Sequence, residues 1–210
     1  MHASSEGDEM AEAGKIPDPA LRRVVITVAL LNLGYFGVEF AVGLAIGSVS
    51  LFADSIDFLE DASINLLIAF ALGWEPKSRA RLGMGLAMIL LAPAIAGLWT
   101  AWQKLVAPSV PAPGPLTLAG TGALLVNLTC AFMLARFRHH GGSLTRAAFL
   151  SARNDTLANV AIIAAGAVTA FWWHSAWPDL IVGIGIAVMN ADAAREVFEA
   201  AREEHKEAVG

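Results

Sequence analysis

Residues 105–135 read LVAPSVPAPGPLTLAGTGALLVNLTCAFMLA, without one Lys, Arg, Asp or Glu. Behind the proline-rich loop PSVPAPGP (108–115), the segment from Leu116 to Phe137 gives the roughly 20 mostly apolar residues that a bilayer-spanning helix needs. Charge-free runs flank it on both sides, from Leu82 to Gln103 and from Thr156 to Pro178. The whole 210-residue chain is 56% hydrophobic and 16% charged, against about 25% charged in an average soluble domain. These runs exceed what a soluble core of this size buries, so the chain reads as an integral membrane protein. Soluble enzyme folds, nucleic-acid modules and secreted disulfide scaffolds are excluded. A net charge of −5 offers no basic surface to nucleic acid. The single cysteine, Cys130, lies in an apolar stretch and reads as a buried, inert thiol.

Apolar runs set against breakers predict an all-α membrane protein with six transmembrane helices. The spans are Arg22 to Ile46, Val49 to Leu72, Arg81 to Val106, Leu116 to Phe137, Leu144 to Trp172, and Pro178 to about Ala194. The sixth is short, charge-free only from Leu180 to Ala191, and must pack against neighbours or thin the bilayer. Residues 1–20 are polar and acidic (SEGDEMAEAGKIPDP) and read as a disordered cytoplasmic tail, not as a signal peptide. Residues 21–194 read as one six-helix transmembrane domain. Residues 195–210 read as a short cytoplasmic tail, too short to build a second domain.

Orientation follows from the 14 basic residues. Lys15, Arg22, Arg23, Lys77, Arg79, Arg81, Arg136, Arg138, Arg146, Arg195, Arg202 and Lys206 fall on one side, Lys104 alone on the other, and Arg153 within the fifth span. Twelve against one places both termini in the cytoplasm. Trp99, Trp102, Trp172, Trp173 and Trp177 gather at the opposite ends, where amphipathic rings settle at the interface.

Charged groups at membrane depth are expensive and persist where they have a function. In FADSIDFLEDASINLL (52–67) the steps of three and four put Asp54, Asp57, Asp61 and Asn65 on one helical stripe, with Glu60 offset beside Asp57. In FLSARNDTLANV (149–160), Ser151, Asp155 and Asn159 form a second stripe at steps of four. The first span adds Asn32 and Glu39, and the fourth adds Asn127. Carboxylates held together at low dielectric repel one another, and either protons or a divalent cation relieve that repulsion. Because ligation needs deprotonated groups, such a site has proton–metal exchange built in. The candidate ligands read from the residues are Asp57, Asp61 and Asp155 with a hydroxyl or amide as fourth donor, followed by Asp54, Glu39 and the loop pair His139 and His140 of RFRHHGG. Plain structural readings stand beside these. Asp54, Asp179 and Asp192 can cap helices, and Asn32, Asn65, Asn127 and Asn159 can bind helices together. Glu39 can serve only to neutralise a neighbour, and Arg153 can snorkel. Gly83 and Gly85, like Gly183 and Gly185, permit close helix approach.

GSVSLFADSIDFLEDASINLL (47–67) resembles the second helix of the cation diffusion facilitator transporters, where an Ala-Asp pair precedes a His/Asp-xxx-Asp metal motif. On that resemblance the motif falls on Asp57 and Asp61, and its counterpart in the fifth helix falls on Ser151 and Asp155. Asn32, Glu39 and the WPDL of 177–180 match further family positions, and the similarity runs from Arg22 to Ala194. The resemblance implies a homodimer in the cell (inner) membrane that exports a divalent metal against inward proton flow, with zinc first and cadmium, cobalt, iron or manganese as others. No cofactor is permanently bound, and the metal is cargo. The match is to a short subgroup lacking the cytoplasmic domain. Ser151 stands where the family carries His or Asp, so Asn154 or water would complete the shell, and a harder metal gains ground over zinc.

Two rival readings follow. Intramembrane aspartyl proteases also set one Asp on each of two helices, but their Gly-x-Gly-Asp element is absent around Asp155. Alcohol phosphatidyltransferases hold magnesium with an Asp-Gly…Ala-Arg pattern that FADSIDFLED lacks. A membrane metal-binding subunit that does not transport would need the same ligands as a transporter.

Overall fold

The computed structural model describes residues 19–70, 95, 97–137 and 142–189. Every regular element among them is helical: α1 (Pro19–Ile46), α2 (Val49–Phe70), α3 (residues 97–106), α4 (Pro113–Ala135), α5 (Gly142–Phe171) and α6 (Trp177–Met189). Three segments are long and apolar enough to cross a membrane: Pro19–Ile46, Pro113–Ala135 and Ser151–Phe171. Helix α2 has the length, but its four carboxylates lower its hydropathy, and the described part of α6 is Trp177–Met189. Most of the expected third span, both tails, Asp192, Gly83, Gly85 and the pair His139–His140 lie outside the described residues.

Helices α1 and α2 form one antiparallel hairpin and α4 and α5 another. The two pack together through α1 against α4 and α2 against α5. The tight turn between α1 and α2 rests on Gly47, whose φ of 64° is costly for any residue with a Cβ. With Gly47 left-handed, the Ser48 amide reaches back to the Gly43 carbonyl at 3.0 Å, closing a Schellman turn. Ser48 then caps the next helix, its Oγ accepting from the Leu51 amide at 3.2 Å. At the other end of this hairpin the Arg22 guanidinium lies over the Phe70 ring, 5.2 Å from its centroid. Helix α4 starts on a proline in its first turn after the extended Ala112, as a proline-rich connection favours.

Apolar surface faces outward and polar groups face inward, the reverse of a soluble bundle. Leu30, Leu118, Leu125, Phe132 and Leu157 are each more than 60% exposed, while Asn32, Glu39, Asp54, Asp61, Asn65, Asn127 and Asn159 are buried. The five tryptophans expected at an interface are all exposed. The interior is layered. One apolar cluster joins Leu21, Val25 and Val28 to Ile68, Cys130, Leu134, Ala148 and Ala152. A second, at the end of the α1–α2 turn, joins Leu51 and Ala53 to Leu116, Ala119, Ile162 and Ile186. Asn32 and Glu39 of α1, the acids of α2, Asn127 of α4, and Asp155 and Asn159 of α5 lie between them in sequence, so a polar layer separates the two clusters.

Candidate metal centre

The site is built where α2 crosses α5. The Ser151 hydroxyl donates to Asp61 Oδ1 at 2.9 Å, joining the two stripes read from the sequence. Asp155, one turn beyond Ser151, sets its carboxylate beside that of Asp61. Asp57, one turn from Asp61, is half-buried and within electrostatic reach of Asp155, Asp54, Glu60 and Asp61. Asp61 itself is buried, and Asn65 Nδ2 donates to its backbone carbonyl at 2.8 Å, inside α2 and not between helices. Among the described residues no three His, Cys, Asp or Glu side chains close into a ready metal shell. The acids are neighbours, not a finished cage.

A second polar group lies one layer nearer the α1–α2 turn. Asp54 Oδ2 accepts from Asn159 Nδ2 at 2.7 Å, and Asn159 Oδ1 accepts from Asn127 Nδ2 at 3.1 Å, linking α2, α5 and α4. Glu39 of α1 adjoins Asp54, and both are fully buried. Tyr35 stands within the field of both acids and donates its hydroxyl to the Ala119 carbonyl at 2.6 Å. Asn127 and Asn159 therefore bind helices together as expected, and Asn32 does so through the Cys130 thiol at 3.7 Å. The thiol is free and buried.

Other candidates stand apart. Asn154 is exposed and accepts from Arg153 at 3.4 Å, so it does not join Ser151 and Asp155 on the inner stripe. Arg153 is exposed too and offsets none of the buried acids. Asp179 caps a helix, but a different one from its own. Its carboxylate accepts from the Val49 and Ser50 amides at 2.9 and 3.2 Å and from the Ser48 and Ser50 hydroxyls at 2.6 Å each. Lys104 of α3 is buried against the same carboxylate at 2.9 Å and also donates to the Gly47 carbonyl. Lys104, Ser48 and Ser50 were not among the candidate site residues. The signal lay in one lysine isolated in an otherwise charge-free stretch.

A bundle with apolar faces outside and paired acids within belongs to the helical integral membrane proteins, and its interior oxygens suit a cation. The family model for the cation efflux transmembrane domain matches residues 25–204, and the chain belongs to that family, the cation diffusion facilitators. The chain is 28% identical over 173 residues to the cation-efflux pump FieF of Escherichia fergusonii, covering 73% of this chain and 56% of that protein. The same identity and coverage hold for FieF of Escherichia coli O1:K1 / APEC and of Shigella flexneri serotype 5b. The chain thus spans little more than half the length of these curated relatives. Membership places the chain among the cation efflux transmembrane domains.

Proposed function

We propose that this chain exports a divalent metal cation from the cytoplasm in exchange for protons, binding it at Asp57, Asp61, Ser151 and Asp155. The observation that supports this reading is the 2.9 Å bond from Ser151 to Asp61, with Asp155 beside it. It brings the two halves of the ligand set, distant in sequence, to one level between two helices. Deprotonated carboxylates ligate and protonated ones do not, so each binding event releases protons and each reloading by protons expels the ion. The donors are all oxygen, which suits manganese, iron, cobalt, cadmium or zinc and favours the harder among them. The ion enters from the side bearing both termini, assigned to the cytoplasm by the basic residues. It leaves at the α1–α2 turn as the two hairpins rock about the polar layer. The working unit is a homodimer in the inner membrane.

The test is flux into proteoliposomes. An imposed proton gradient drives zinc, cadmium or manganese across the bilayer, and Asp57→Ala, Asp61→Ala and Asp155→Ala each abolish it while the protein stays monodisperse. Full activity in all three variants overturns the site. Binding without any flux identifies a non-transporting metal-binding subunit instead.

A further inference from the structure

Glu39 of α1 and Asp54 of α2 put two fully buried carboxylates side by side. Such a pair is strongly unfavourable in an apolar interior unless donors or a cation meet its oxygens. Only one oxygen is met. Asn159, itself held by Asn127, donates to Asp54 Oδ2. Beyond the contact of the two carboxyls with each other, both oxygens of Glu39, Oδ1 of Asp54 and Oδ1 of Asn127 meet no donor among the described residues. Among the described residues no basic side chain pairs with them, since buried Lys104 is taken by Asp179 and Gly47. Unlike the half-buried Asp57 and Asp155, these groups are wholly enclosed. Buried oxygens of α1, α2 and α4 that meet no hydrogen-bond donor suit a hard or borderline divalent cation.

We propose that Glu39 and Asp54, oriented through Asn159, hold a second divalent metal ion on the exit side of the Asp57/Asp61/Ser151/Asp155 site. Along α2, at a rise of ~1.5 Å per residue, Asp54 lies about 4.5 Å from the level of Asp57 and about 10 Å from that of Asp61. This inference rests on the transport reading above, which makes the α1–α2 turn the release side. An ion leaving Asp61 pauses at Glu39 and Asp54 before release. At this spacing two divalent charges repel each other, so an ion arriving behind loosens the one ahead.

Equilibrium dialysis of cadmium ion against the full chain in nanodiscs tests this directly. The wild type binds two ions per chain. Glu39→Gln with Asp54→Asn binds one, at an affinity within about threefold of the first wild-type ion. Asp61→Asn with Asp155→Asn also binds one. If the Glu39/Asp54 variant is not monodisperse, Glu39→Asp serves, weakening the second ion at least tenfold and leaving the first. One ion in both wild type and the Glu39/Asp54 variant overturns the second subsite and leaves the first standing. Loss of both ions in that variant makes the five acids one site and overturns the second subsite equally. An unchanged count of two in the Asp61/Asp155 variant overturns the transport site and not the second one.

Discussion

Asp179 shows how much one side chain can organise when it is buried with all its partners. Its two oxygens accept from two backbone amides, two serine hydroxyls and Lys104, drawn from α2, the turn before it and α3. The negative charge sits at the start of α2, where the helix dipole favours it, and the lysine supplies the opposite charge. Removing one member leaves the other charge buried and alone, which costs about 3–5 kcal/mol, whereas removing both together costs far less. Asp179→Asn and Lys104→Met should therefore each lower the unfolding midpoint in detergent markedly. The double variant should lie above Asp179→Asn. Strictly additive losses would show that the pair is uncoupled. From sequence, Asp179 was legible as a cap at a helix start. Its actual target, more than a hundred residues away, follows only from packing.

At the scale of elements, the two glycines of α6 separate what a pattern can and cannot say. Gly183 and Gly185 look alike in sequence as small residues that let helices approach. A Cβ at Gly183 would fall 2.6 Å from the Ser50 nitrogen and 2.7 Å from the Val49 carbonyl carbon, both backbone atoms of α2, while one at Gly185 would meet nothing within 4 Å. Gly183→Ala must push α6 off the start of α2, at about 1–3 kcal/mol. Gly185→Ala should be neutral or slightly stabilising, since alanine favours a helix over glycine by ~1 kcal/mol. Unfolding midpoints of the two variants, measured side by side, check this; equal losses would mean that α6 does not rest on α2 there. The element types themselves were readable. Long apolar runs marked α1, α4 and α5, and the three-and-four spacing of acids marked the inner stripe of α2. Which asparagine bonds which acid was not readable, because Asn65 turns back on its own helix while Asn159 crosses to Asp54.

Across the whole molecule the polar layer lies between two apolar clusters, and in the proposed transport cycle that sandwich decides how pH acts on the ion. Water-poor surroundings leave Asp57, Asp61 and Asp155 two ways to lose their mutual repulsion, a proton or a metal. The two compete for the same oxygens. Lowering pH fills them with protons and weakens metal binding; raising pH empties them and strengthens it. Each proton displaced per ion makes the affinity rise about tenfold per pH unit, so a two-proton exchange gives about a hundredfold. Calorimetric titration of the full chain with cadmium or zinc from pH 6 to 8, in two buffers of different ionisation enthalpy, yields both the slope and the protons released. The two numbers should agree and be at least one. A flat affinity with no protons released would mean that these carboxylates hold the ion without exchanging it for protons, and the coupling would then have to arise elsewhere in the chain.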